Sequence, residues 1–253
     1  MLAISLQSGS NGNCFYVETN GTKLLFDAGI CGSRAASRLG SHGRDIRDVD
    51  ALIISHDHAD HVSCAGIYQR KYGIPIFITP LTLREAEKGG RLGKLRDVTC
   101  FRSGDQLKFG AVSVHTIPTP HDGVDGSVFV VCSSGKRLGI LTDLGHVFSG
   151  LPDIISSLDA VFIESNYDPA MLSNGPYPAF LKKRIQGSQG HLSNMESAEL
   201  LRSGSRLKWA CLAHLSECNN SPELALKTHR DISGGKIPFY AASRYAASGV
   251  FAI

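Results

Sequence analysis

The chain has 253 residues, 42% of them hydrophobic, which is enough apolar side chain to fill the core of one large domain. Its 27 glycines and 10 prolines are spread singly as turn punctuation, which excludes an all-helical protein and favours many short elements joined by tight loops. A net charge of +3 is too small to announce a nucleic-acid partner by itself, so local patches must carry any such argument.

The opening reads strand, loop, strand, turn, strand: LAISLQ, SGSNGN, CFYVET, the hairpin signal Asn20-Gly21, then TKLLFDAG. A polar helix is expected near 33–39, a strand over 51–55, a helix over 61–72, the strand IPIFIT and a short helix over 81–88. Three apolar runs separated by turn residues follow, at 111–117, 127–132 and 137–143. The last section alternates a strand at 159–165, a helix at 194–202, a strand at 209–216, a helix at 222–230 and a terminal strand. ALIIS runs into His56 as WACLA runs into His214, so both halves discharge a polar loop from an apolar strand. The class implied is α/β: two mixed halves, sheet on sheet with helices outside, and strand-end loops gathered at one rim.

No Pro/Ser linker or charge block divides the chain, so 1–253 reads as a single domain. There is no basic leader and no apolar run of membrane-spanning length, and a soluble protein with no membrane partner is expected. Seven scattered cysteines with no Cys-x-x-Cys pair fit reduced thiols in a cytoplasm.

SHDHADHV, at 55–62, places three histidines and two aspartates directly after a buried strand. Two imidazoles at i and i+2 on an extended backbone point the same way, and a following turn swings Asp60 and His61 to a second position. One short loop then serves two adjacent cations, and the added carboxylate suits a pair of divalent ions rather than a closed structural site. Further donors stand at strand ends: His121 in TIPTPHDG, Asp143 after RLGILT and His214 after WACLA. Each alone is as often a cap or a satisfied partner as a ligand; with the loop at 56–61 they form a set.

In that order, His56, His58, Asp60, His61, His121, Asp143 and His214 resemble the ligand pattern of the metallo-β-lactamase fold, an αββα sandwich. The resemblance implies two divalent metal ions, zinc or manganese: a first on His56, His58 and His121, a second on Asp60, His61 and His214, with Asp143 bridging. SGSNGN, LLFDAG, FIESNYD, YPAFLKKRIQGSQGHLSN and HLSECNN extend it to the WalJ/YycJ-like branch, which is associated with exonuclease activity on double-stranded DNA.

Two bridged cations share a water and lower its pKa towards neutrality, which serves phosphodiesters, thioesters, lactones and β-lactams alike. Three features favour the phosphodiester. True β-lactamases of this fold lack a bridging aspartate at the position of Asp143. Lys182, Lys183 and Arg184 precede the loop GSQGHLSN, and Arg91, Lys94 and Arg96 sit in a Gly-rich connection; such cations hold phosphates, although ordinary solvated charge explains the second group as well. His191, in a Gly-flanked loop, resembles the catalytic histidine loop of ribonuclease Z-type enzymes and joins Asp60 and Asp143 as a catalytic candidate.

Asp27, at the end of a strand, is expected to orient a ligand imidazole. Asn166 and Tyr167 are candidate substrate contacts, whereas His42 and His229 read as surface positions. The segments between ligands are too short to hold the inserted domain of ribonuclease J. The leading expectation is therefore an exonuclease acting on duplex DNA, ahead of a small-molecule cyclic phosphodiesterase and, further off, a thioesterase or lactonase.

Overall fold

The computed structural model describes residues 1–90 and 92–253; Arg91, read above with Lys94 and Arg96, lies outside the described residues. The chain divides into two compact units, Met1–Pro118 with Gly123–Ser127 and Ser243–Ala252, and Thr119–Asp122 with Val128–Ala242 and Ile253.

The first unit opens with the antiparallel strands β1 (Leu2–Gln7), β2 (Cys14–Thr19) and β3 (Thr22–Phe26), joined across Asn20-Gly21 as expected. Helix α1 (Gly32–Gly40) leads to β4 (Ala51–Ile53), the short helix α2 (Ala59–Val62) and α3 (Ala65–Tyr72). Then follow β5 (Ile76–Ile78), α4 (Pro80–Lys88) capped by Thr79, β6 (Val98–Cys100), and the hairpin of β7 (Gln106–Phe109) and β8 (Val112–Pro118). Strands β3 to β6 are parallel, and the chain's closing strand Phe251–Ala252 pairs antiparallel with β1. Ile4, Leu6, Tyr16, Leu25, Leu52 and Ile76 form one side of the core, with Leu39 of α1 and Tyr68 of α3 packed into the same cluster.

Two differences from the expected elements have a local cause. The strand expected over 51–55 ends at Ile53, because the Ser55 N–H turns to Asp27 Oδ1 at 2.8 Å instead of a neighbouring strand. The helix expected over 61–72 divides in two. Ala28 accounts for the break: its N–H donates to His61 O at 2.6 Å and its carbonyl accepts from Cys64 N at 2.9 Å, so groups that would continue the ladder are spent on the loop after β3.

The second unit carries β9 (Ser127–Ser133), antiparallel to β10 (Lys136–Leu141), followed by α5 (Leu151–Ser157) and β11 (Ala160–Glu164). Three helices come next: α6 (Pro169–Asn174), α7 (Ala179–Gln186) and α8 (Asn194–Leu201). The unit continues with β12 (Trp209–Ala213), α9 (Pro222–Ser233) and β13 (Phe239–Ala241). Strands β10, β11, β12 and β13 run parallel, with Leu141 opposite Ile163 and Glu164 opposite Ala213, so their carboxyl ends finish at one level. Helix α8 packs on α9 and α5.

His229 is a correction to the surface position expected for it. It is fully buried on the Ala225/His229 side of α9, where Nδ1 donates to Ala225 O at 2.8 Å and Nε2 meets Ser197 Oγ of α8 at 3.2 Å. All seven cysteines are free thiols. Among the described residues no helix is long and apolar enough to cross a membrane.

Candidate metal-binding site

The donors of the first unit follow β4, where Asp27 organises them. Its backbone is left-handed (φ 64°), which turns the carboxylate at the end of β3 towards the loop after β4. Asp27 Oδ1 accepts from Ser55 N, while Oδ2 accepts from Ser55 Oγ at 2.9 Å and from His61 Nδ1 at 2.7 Å. The single Ser55 hydroxyl proton is thereby spent on Asp27. His56 Nδ1, 2.9 Å from Ser55 Oγ, must then be the donor in that pair. Asp27 thus leaves Nε2 as the lone-pair nitrogen of His61 directly, and of His56 through Ser55.

His56 and His61 are buried, with ring centroids 4.1 Å apart, and His58 lies edge-on to His56 at 4.6 Å. Asp60 Oδ2 stands 3.5 Å from His61 Nε2, and Asn13 Nδ2 reaches both, at 3.3 and 3.0 Å respectively. Close approach at Gly29 holds this loop down: a Cβ there would fall 1.7 Å from Asp60 O.

In the second unit the level ends of the parallel strands bring the donors together, as ligand sites in α/β sheets gather at strand carboxyl ends. Asp143 follows β10, Glu164 ends β11 and His214 follows β12; Asp143 and His214 are again left-handed, at φ 58° and 55°. With His191 they form a group whose candidate ligand atoms all lie within 4.8 Å of one another. Asp143 Oδ1 is 3.5 Å from His214 Nδ1, 3.6 Å from His191 Nδ1 and 3.7 Å from His121 Nε2. His121 Nδ1 donates to Gly190 O at 2.8 Å, and because a carbonyl only accepts, Nε2 carries the lone pair.

Glu164 has no solvent exposure. Its Oε1 takes His191 Nδ1 at 2.6 Å, and its Oε2 accepts from Leu144 N at 3.1 Å and Leu192 N at 3.2 Å. Burial by itself would raise this carboxyl; the charge and hydrogen bond of His191 outweigh it and hold the group below the usual carboxylate range.

Imidazole nitrogens beside buried carboxylates form groups that could hold divalent metal ions. The residues expected from sequence therefore fall into two local groups, His56, His58, Asp60 and His61 with Asp27, and His121, Asp143, His191 and His214 with Asn166. Asn166 Nδ2 donates to His214 O at 2.9 Å. Lys182, Lys183 and Arg184 lie on α7: Lys182 Nζ donates to Ser173 O at 2.7 Å, and Arg184 Nε pairs with Asp122 Oδ2 at 2.6 Å. Glu164, Ser55 and Asn13 were not singled out from sequence. A carboxylate closing the apolar run DAVFIE was the available signal for Glu164; Ser55 and Asn13 lie inside the segments SHDHADHV and SGSNGN, with no role read for either.

Residues 8–178 match the Metallo-beta-lactamase superfamily. The chain belongs to that superfamily, in its WalJ/YycJ-like branch, and has its αββα fold, the class expected from sequence. It is 37% identical over 227 residues to Exodeoxyribonuclease WalJ of Streptococcus pneumoniae, a match covering 88% of this chain and 84% of that one. Exodeoxyribonuclease YycJ of Bacillus anthracis is 33% identical over 224 residues, covering 87% of this chain and 84% of the relative. Among solved structures, zinc-bound PqqB of Methylobacterium extorquens superposes with a TM-score of 0.77 at 14% identity, covering 100% of both chains.

Proposed function

We propose that this protein is a metal-dependent phosphodiester hydrolase of one catalytic domain, 1–253, that removes nucleotides from the end of duplex DNA in the cytoplasm. The similarity over 88% of the chain to a protein named exodeoxyribonuclease carries the reading, supported by groups of histidine and carboxylate side chains that could hold a metal ion. We assign two divalent ions, zinc or manganese: His56, His58 and His121 would hold the first, Asp60, His61 and His214 the second, and Asp143 would serve both. The ions, when bound, supply Lewis acidity towards the phosphate and lower the pKa of the attacking water.

The protein's own groups do the rest. Asp27 and Ser55 orient His56 and His61, and Gly190 O orients His121. His191, with Nδ1 committed to Glu164, presents Nε2 to the departing oxygen and gives it a proton, a service typically worth roughly 10²–10⁴ in rate. Lys183, exposed on α7, takes a backbone phosphate, and Asn166 holds the His214 loop in place.

The test offers the purified protein duplex DNA, single-stranded DNA, RNA, a cyclic nucleotide, a lactone and a β-lactam, alongside metal analysis. Duplex DNA should be degraded from its ends, more slowly as salt rises, with close to two equivalents of metal per chain. Turnover of the lactone or the cyclic nucleotide with DNA untouched would overturn the reading. A single ion unaffected by Asp60→Ala and His214→Ala would overturn the two-ion assignment.

A further inference from the structure

Helix α7 shows a second feature that the ligand set leaves unexplained. Its packed side is Leu181 and Ile185, set with Tyr177 against Tyr167 and Leu172. Phe180 stands off that stripe and is 76% exposed. A lone exposed apolar residue is ordinary; its surroundings here are not. Lys183 and Arg184 are three and four residues on and so share its side of the helix, within about 6 Å along the axis. The helix AFLKKRIQ contains no acid.

The far end of α7 is tied to the donor loops of the same unit. Arg184 pairs with Asp122, next to His121, and Ile185 O accepts from His191 N at 2.9 Å. Gly190 lies so close that a Cβ would fall 2.1 Å from Ile185 O. The exposed ring is thus carried on a helix whose position relative to His191 is set by hydrogen bonds and close packing.

We propose that Phe180 is a stacking platform for one nucleobase of the DNA substrate, with Lys183 on an adjoining phosphate. The inference rests on the nuclease reading and adds to it a residue that sets the substrate's position. An aromatic face beside cations is the chemistry that holds nucleic-acid strands, because every base offers a π-face and every nucleotide a negative charge. A second copy of this chain fits the patch less well: a two-fold contact would set Lys182, Lys183 and Arg184 against themselves.

The experiment measures binding of the metal-loaded protein to a cleavage-resistant phosphorothioate duplex by fluorescence anisotropy. A single abasic residue is walked inward from the end. Wild type should lose about 10-fold in affinity when the base at one position is removed. Phe180→Ala should show that loss on intact DNA and no further loss at that position. Phe180→Trp should bind as wild type, and Phe180→Leu, apolar but without a ring face, should behave as Phe180→Ala.

Equal sensitivity of wild type and Phe180→Ala at every position overturns the proposal. So does a wild-type dimer that Phe180→Ala separates without change in DNA binding. If wild type neither binds nor degrades DNA, the nuclease reading fails and the inference with it. Degradation indifferent to Phe180→Ala removes the inference alone.

Discussion

Asp27→Asn is a severe test of the ligand geometry, because it changes hydrogen-bond polarity while sparing the backbone. Residue 27 has φ 64°, and asparagine tolerates that left-handed conformation as well as aspartate does, whereas alanine would pay about 1–2 kcal/mol there. In wild type both carboxylate oxygens accept, Oδ1 from Ser55 N and Oδ2 from Ser55 Oγ and His61 Nδ1. An amide offers one acceptor and one donor. The backbone N–H of Ser55 cannot reverse, so the amide oxygen must serve it and the NH₂ must face His61 Nδ1. His61 then has to deprotonate Nδ1 and carry its proton on Nε2, where it blocks a metal. Losing such an orienting partner typically costs 10–100-fold in metal affinity, or about 1.4–2.7 kcal/mol. Competition against a calibrated zinc chelator should show one of two ions weakened by that factor, and nitrogen-detected NMR of the imidazoles should show the changed tautomer. Unchanged affinity for both ions, with His61 still protonated on Nδ1, would refute the reasoning.

Three further outcomes are expected. Glu164→Gln must leave either His191 Nδ1 or the Leu144 and Leu192 N–H groups facing a donor, so kcat on duplex DNA should fall about 10- to 100-fold with metal content retained, measured by kinetics and metal analysis in parallel. His229 is pushed by burial from the ordinary 6.5 to about 4; the unfolded chain then binds the extra proton, so stability is complete above pH 6.5, falls as pH drops towards 4 by about 3 kcal/mol, and the slope of the urea midpoint in that window should flatten in His229→Gln. Gly29→Ala would set a Cβ 1.7 Å from Asp60 O, so the melting temperature and the affinity of the ion held by Asp60 should drop together; a variant as stable and as well loaded as wild type would contradict the close approach.

The candidate donor loops were legible because their signal is local. His-x-His-x-Asp-His after an apolar strand needs only a few residues to be recognised, and Asp143 and His214 announce themselves by following the apolar strands β10 and β12. The partners that assign tautomers were not legible, since they come from afar: Asn13 reaches His61 across 48 positions, and Gly190 offers His121 a backbone carbonyl, which has no letter in the sequence. Helices α5 and α6 were missed for another reason. Pro152 and Pro169 were read as turn punctuation where each sits in the first turn of a helix, the place proline is tolerated best. His229 misled in the opposite direction, because a histidine in the polar run Lys227-Thr228-His229-Arg230 reads as surface until α8 is known to cover it.

The left-handed residues connect these observations. Asp27, Asp143 and His214 each follow a strand, and each adopts the left-handed conformation that few residue types other than glycine take up. Continued as β-structure, each side chain would have pointed to one face of its sheet; the reversal of φ lifts it over the strand's end instead. Each reversal is held by a bond from elsewhere: Asp27 N donates to Ile53 O, Thr119 Oγ1 to Asp143 O and Asn166 Nδ2 to His214 O. Strain of this kind persists only where its surroundings over-determine it, and it collects at functional sites. Glycine would take these positions without strain but would bring no donor, so the chain holds an aspartate or histidine in glycine's conformation where the chemistry requires a side chain.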